Sequence, residues 1–380
     1  MDILTSVSGF GGTLLGYLVP FLFILTIVVF VHELGHFLVA RWCGVGVKVF
    51  SIGFGPEIFG FYDRHGTRWR VAWIPLGGYV KFIDDENAAS AGQKSLDSMS
   101  EEDRENSFQG KSLAQRAAIV AAGPAANFIF AILIFMGIFS IFGERITAPK
   151  VDDVTAGSAA ERAGFKPGDL VTIIDGSAID NFADMQRIVA TSPDRPLNFV
   201  VDRGGANVAL TAIPERKEIT DRFGNTFKVG LLGIKRSASP EDWTLERHDP
   251  ATAFVMGVKE CYFVVSRSLG YLYDVVAGRE DADQLGGPLR IAQVSGQVAT
   301  AGFLALLNLA AIISVSIGLI NLFPIPMLDG GHLLFYGIEA VRGKPLSETT
   351  QEIGFRIGLA FVLMLMIFAT WNDLIHLTNQ

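Results

Sequence analysis

Charge is what this sequence has least of. Only 18% of its 380 residues are Asp, Glu, Lys or Arg, while 50% are hydrophobic, and the mean hydropathy is +0.38. That balance argues against an ordinary soluble enzyme and fits a membrane protein with a soluble part. Basic patches are also missing. The net charge of −8 argues against a nucleic-acid partner. Cysteine is scarce: Cys43 and Cys261 stand far apart, so neither a disulfide framework nor a zinc ribbon is implied. No Lys or Arg precedes Arg41. The N-terminus thus lacks the basic region of a cleavable signal peptide, and the first apolar run is expected to stay in the mature protein.

What is present is a set of long apolar runs. Four are long enough to span a bilayer: Thr13 to Arg41 with a kink at Pro20, Ala117 to Phe142, Phe303 to Phe323, and Ile357 to Leu374. The third would measure ~31 Å as a helix. The fourth is the most marginal, because it ends near Asn372 and Asp373. Lys and Arg cluster between the first and second runs and again between the third and fourth. The positive-inside rule then puts those two loops in the cytoplasm and both termini outside. The chain reads as a polytopic α-helical membrane protein of about four transmembrane helices, with a membrane-associated β region and one extracytoplasmic α+β domain.

Between the spans the pattern changes. Lys48–Phe54, Glu57–Tyr62 and Thr67–Ile74 read as short strands, with a turn at Asp63-Arg64-His65-Gly66. Asp84 to Gly110 reads as a mobile polar loop. Between the second and third runs, Gly157 to Phe165 predicts a short helix ending at a glycine. Pro167 to Gly176 predicts a turn, a strand and another turn, Asn181–Thr191 a helix, and Leu197–Ala212 a hairpin. Glu215 to Asp249 reads as a polar connector. Ala251 to Val276 reads as an amphipathic interfacial helix. The resulting boundaries are 1–43, 44–112, 113–143, 144–215, 216–302, 303–337 and 338–380.

Inside the first run lies His32-Glu33-Leu34-Gly35-His36. On a helix the two imidazoles share a face and can hold Zn²⁺, with Glu33 alongside as a base. Ionisable groups in a membrane-length helix are costly and usually functional, which weakens the reading of a chance pentapeptide. A hydrolytic zinc needs a third protein ligand. The third run ends in Asn321-Leu322-Phe323-Pro324-Ile325-Pro326-Met327-Leu328-Asp329-Gly330-Gly331-His332. Two prolines and two glycines break the helix there, so Asp329 is the preferred third ligand and His332 its rival. Asn321 has two readings, a substrate-backbone contact or a bond to nearby helix carbonyls. The same holds for Asn127, where a packing role is favoured. His65 reads as a solvated turn residue. A scaffolding protein with an idle site and a proton relay are the rival functions; the first would need a missing ligand, the second inverted repeats.

These segments resemble the site-2 proteases, the intramembrane zinc metalloproteases, and in particular their bacterial regulator-of-sigma-E branch. Ile74-Pro75-Leu76-Gly77-Gly78-Tyr79-Val80-Lys81 and Ala122-Gly123-Pro124-Ala125-Ala126-Asn127-Phe128 support the likeness. Gly157 to Gly176 resembles a protease-associated PDZ domain. The resemblance implies one Zn²⁺ per chain held by His32, His36 and Asp329, with Glu33 as general base. It implies a bacterial inner-membrane location and cleavage in or near the transmembrane helix of a single-span protein. Substrates would be anti-sigma-factor-like regulators, already trimmed by an upstream protease, and remnant signal peptides. The PDZ-like part would exclude untrimmed substrates. Some relatives carry two tandem PDZ domains, whereas this chain has room for one.

Overall fold

The computed structural model describes residues 3–85, 99–220, 226–237, 242–279, 282 and 286–378. It forms two compact units. One joins Met1–Met136 to Phe254–Gln380, and the other is Gly137–Ala253. Among the described residues, four helical stretches are long and apolar enough to cross a membrane: Leu15–Trp42, Leu113–Phe142, Phe303–Asn321 and Thr349–Ile375. They coincide with the four runs read from sequence. A helix is the natural form for such a run, since it satisfies every backbone N–H and C=O within the segment.

The chain opens with α1 (Ile3–Trp42), which passes through Pro20 without ending. Next come β1 (Val47–Tyr62) and β2 (Arg68–Phe82). Both strands bend. Residues 49–52 pair with 78–81 on one side and with 68–71 on the other, and 68–71 also pair with 59–62. The bends fall at Gly53 and Gly55, with φ of +87° and +88°, and at Gly77, with φ of +148°. The three strands read from sequence are therefore joined by a fourth, around 78–82. The turn between β1 and β2 is tied by Asp63, whose carboxylate accepts the N–H groups of His65 and Thr67. Phe50 anchors the sheet on α1; it is fully buried between the rings of Phe30, Phe37 and Trp69. The far end exposes Phe54, Ile58, Phe59, Trp73 and Leu76. Water disfavours so large an apolar cluster, and a bilayer accommodates it.

The segment read as a mobile loop falls partly outside the described residues, at 86–98. Its described ends are pinned. Asp84 is buried and accepts the N–H groups of Phe108 and Gln109. Between these ends lies α2 (Glu101–Glu105), capped by Ser100. Then follows α3 (Leu113–Gly137), which carries Pro124 inside and runs on as a π turn, Ile138–Phe142.

The second unit continues with β3 (Glu144–Ile146), β4 (Asp153–Val154), α4 (Ala159–Ala163), β5 (Leu170–Ile174), β6 (Ser177–Ala178) and α5 (Phe182–Ala190). It closes with β7 (Leu197–Arg203), β8 (Ala206–Ala212), β9 (Glu215–Thr220), β10 (Thr226–Leu231), β11 (Ile234–Lys235) and β12 (Thr244–Glu246). The main sheet has the order β6-β5-β7-β8. Ser158 caps α4, whose end is Gly164 in the left-handed region, and Asn181 caps α5. Met185 and Val189 are buried on α5 and join a core with Val171, Ile174, Phe199 and Val201.

One reading is corrected here. Glu215–Asp249 is not a mere connector. β9 and β10 form a hairpin, β11 pairs with β4, and β12 pairs with β3. The missed signal is physical: two- and three-residue strands have too few alternations to show in sequence, and pairing with distant partners alone makes them strands.

The first unit resumes with α6 (Pro250–Val276), α7 (Pro288–Thr300), α8 (Phe303–Asn321), α9 (Asp329–Arg342) and α10 (Glu348–Thr378). α7 was not anticipated as a separate helix. It packs on α1, where Gly296 admits Tyr17. Its N-terminus is capped by Asp373 of α10, which accepts the N–H groups of Gly287, Leu289 and Arg290 at 2.8, 3.1 and 3.1 Å. An anion at a helix N-terminus meets unpaired N–H groups and the positive end of the helix dipole. This explains how an aspartate that is only 2% exposed can end the most marginal of the four runs.

Candidate metal centre

The site begins with α1. No charged residue lies between Leu14 and Val31, so the helix reaches His32 within a uniformly apolar run. The i, i+4 spacing puts His32 and His36 on one face. Their Nε2 atoms lie 3.2 Å apart. Facing them is Asp329, whose Oδ2 lies 3.1 Å from His32 Nε2 and 3.5 Å from His36 Nε2. These three side chains form a cluster able to hold a metal ion.

The third member arrives by way of a broken helix. α8 stops at Asn321, and Pro324 and Pro326 supply no N–H to continue it. Met327 takes φ of +97°, a conformation costly for a residue with a Cβ. The expectation placed Asp329 on non-helical backbone; the structure makes it the first residue of α9 instead. Gly330 and Gly331 do not delay the helix. They let it start close under the break, since a Cβ on Gly330 would run into the carbonyl oxygens of Leu322 and Phe323. α10 presses on the same segment, with Gly358 directly against Pro326.

The residues fit zinc. Asp329 Oδ2 is buried and has no hydrogen-bond partner among the described residues. Two imidazole nitrogens also point at each other and at that oxygen. With both Nε2 atoms unprotonated, three lone pairs meet here, and they repel unless a cation lies among them. Atoms bound at about 2.0–2.1 Å to a tetrahedral zinc stand ~3.3 Å from one another, which is the spacing seen here.

The surroundings orient these groups. His36 Nδ1 lies 2.9 Å from the carbonyl oxygen of Ile119 on α3. A proton on Nδ1 bonds that carbonyl and leaves the Nε2 lone pair facing the cluster. Gly123 sits against both imidazoles; a Cβ there would overlap His36 and reach 2.9 Å from His32 Cε1. Gly35 likewise lets α1 lie against the Ala122 backbone. Glu33 accepts a hydrogen bond from the backbone of Val80 on β2. That approach needs Gly78, whose added Cβ would lie 3.0 Å from Glu33 Cγ. The β region thus holds Glu33 beside the histidines.

Not every candidate joins the cluster. Asn321 donates its amide to Ile317 O at 3.0 Å, within its own helix. His332 lies inside α9, stacks near Phe355 and is not one of the three clustered residues. His65 is exposed in its turn, as read. Asn127, read as a packing residue, sits wholly buried with Nδ2 3.2 Å from His32 Nδ1. The i, i+4 spacing from Gly123 was the available signal, but nothing in sequence says which helix that face meets.

A model of peptidase family M50 matches residues 20–365. The chain is 50% identical to a protein of Agrobacterium fabrum that bears the name of a zinc metalloprotease, covering 98% of this chain and 99% of the other. It is 49% identical to a similarly named protein of Rhizobium meliloti, over 95% and 97% of the two chains. It is 42% identical to metalloprotease MmpA of Caulobacter vibrioides, over 94% and 95%.

Proposed function

The chain belongs to peptidase family M50 and is a zinc metalloprotease; from that premise we propose that it cleaves a peptide bond in or near the transmembrane helix of a single-span membrane protein. The convergence of His32, His36 and Asp329 between membrane-length helices carries this reading. His32, His36 and Asp329 hold the zinc, and Glu33 is the general base. When bound, zinc supplies Lewis acidity to the scissile carbonyl and to the attacking water. Glu33 takes the proton released by that water and returns it to the leaving amine nitrogen.

A transmembrane substrate hides its amides in helical hydrogen bonds and must unwind to react. The strand around 78–82 lies at the sheet edge next to Glu33. An unwound segment that adds to this edge regains main-chain hydrogen bonds while its scissile bond faces the base. Asn321 is available for a further contact only if its amide leaves Ile317. The substrates are pre-trimmed single-span proteins of the anti-sigma-regulator type and remnant signal peptides, with another protease acting first. On the positive-inside rule, the reading is that both termini and residues 144–215, read as PDZ-like, lie outside the cytoplasm, with the metal centre toward the cytoplasmic leaflet of a bacterial inner membrane.

The test is cleavage of single-span proteins, full-length against trimmed, by purified enzyme in detergent or vesicles. Wild type is expected to cut the trimmed form and Glu33→Gln neither. His32→Ala and Asp329→Ala are expected to lose zinc by elemental analysis. Full zinc in Asp329→Ala would remove it from the ligand set. Activity that survives a strong chelator would remove the zinc reading of the site.

A further inference from the structure

The two histidines are supported differently. His36 has a backbone carbonyl at its Nδ1, while His32 has the side chain of Asn127. Asn127 lies on α3, one turn beyond Gly123, and is fully buried. It is held from behind by α8. Ser314 Oγ donates to the Asn127 backbone carbonyl at 2.9 Å, and Gly318 leaves room for its Cβ. Its Nδ2 faces His32 Nδ1, and its Oδ1 is buried with no hydrogen-bond partner among the described residues.

The amide can face His32 in either of two senses, because a half-turn about its last bond exchanges oxygen and nitrogen within one outline. The two senses have opposite consequences. If the NH₂ group donates to Nδ1, a neutral His32 carries its proton on Nε2, and that nitrogen cannot bind a metal. If the carbonyl oxygen accepts from Nδ1–H, the Nε2 lone pair is free and points at His36 and Asp329. The second sense gives His32 the same support that Ile119 gives His36.

We propose that Asn127 is a positioning residue for the metal centre: its side-chain carbonyl accepts the Nδ1–H of His32, fixing the tautomer and ring orientation in which Nε2 binds zinc. This rests on His32 being a zinc ligand. It gives α3 a part in the chemistry although it supplies no ligand.

The experiment measures zinc dissociation constants of the full chain by competition with a chromogenic chelator, alongside cleavage with and without excess zinc. Asn127→Leu keeps the branched outline and removes the acceptor. Its zinc affinity is expected to fall about 10–100-fold, the usual cost of losing such a support. Excess zinc is expected to restore most of its kcat, with KM unchanged; a merely structural lesion would not be rescued in this way. Asn127→Asp keeps an acceptor and has no donor, and is expected to bind zinc within a few-fold of wild type. Ser314→Ala, which perturbs the same helix contact without touching His32, is expected to match wild type. Wild-type affinity in Asn127→Leu, with His32→Ala metal-free, overturns the proposal and leaves the metal centre standing. Equal losses in Asn127→Asp and Asn127→Leu, in protein that still elutes as a folded species, overturn the acceptor role. Wild-type affinity in His32→Ala overturns the metal centre itself and this proposal with it.

Discussion

Two buried carboxylates show how differently this chain uses one functional group. Asp169, in the Gly137–Ala253 unit, is fully buried and fully answered. It receives two hydrogen bonds from Arg203, at 2.7 and 2.8 Å, and another from the Lys166 backbone N–H. Asp329, in the helical unit, keeps an oxygen with no hydrogen-bond partner among the described residues and faces two imidazole nitrogens. The first arrangement serves stability, since every polar atom of the carboxylate has its partner within the fold. The second leaves three acceptors in want of a cation. A buried group with its partners supplied is architecture, and one held short of a partner marks chemistry.

Four variants test this contrast, in descending order of expected effect. Glu33→Gln removes the proposed base and leaves the three proposed ligands in place. Cleavage of a trimmed substrate should fall by about 10²–10⁴-fold at unchanged zinc content, read by gel assay and elemental analysis on one sample. Gly123→Ala puts a methyl group where the imidazoles lie. A displacement of about 1 Å at a catalytic centre costs on the order of 10²-fold, so both zinc affinity and kcat should drop. Wild-type behaviour there would mean that α3 does not press on the site.

Arg203→Ala strips Asp169 of its counter-charge. The second unit should be destabilised, seen as faster hydrogen exchange within 137–253, while zinc content of the full chain stays unchanged. Burial pushes the Asp169 carboxyl up, but Arg203 and the Lys166 N–H outweigh it and hold it below the usual carboxylate range. A depressed folded pKa adds stability above the ordinary value near 3.8 that is lost as pH falls through the lower folded one. Wild type should therefore lose protection below about pH 4, and Arg203→Ala should lose less over that window. A steeper acid loss in the variant would show the pair is not the cause. Ser158→Ala removes the cap of α4 and should cost about 1 kcal/mol, again confined to the second unit. A change in zinc affinity from either of the last two would break the separation drawn here.

Much of this was legible in the residues. The four apolar runs became the four candidate spans because, in a low-polarity solvent, run length alone forces a helix. His32 and His36 were readable as a pair because spacing fixes which face a helical residue takes. Asp329 was readable as a candidate because Pro324 and Pro326 break an otherwise apolar helix beside it. Gly164 announced its helix end, because glycine takes the left-handed conformation without a Cβ penalty and needs no tertiary context; Ser158 and Asn181 were not read as caps.

What depended on distant pairing was not legible. β11 and β12 exist only through β4 and β3, and α7 is stabilised by a carboxylate 83 to 86 residues away. Asn127 looked like helix packing until α3 was laid against α1. Gly35, Gly78 and Gly123 gave no sign of which backbone or ring they admit. Span positions, the candidate ligand types and the shared face of His32 and His36 follow from periodicity and length, which act locally. Which carboxylate joins the two histidines, which strand lies beside Glu33 and which amide faces His32 rest on contacts between segments tens to hundreds of residues apart, and so come only with the folded chain.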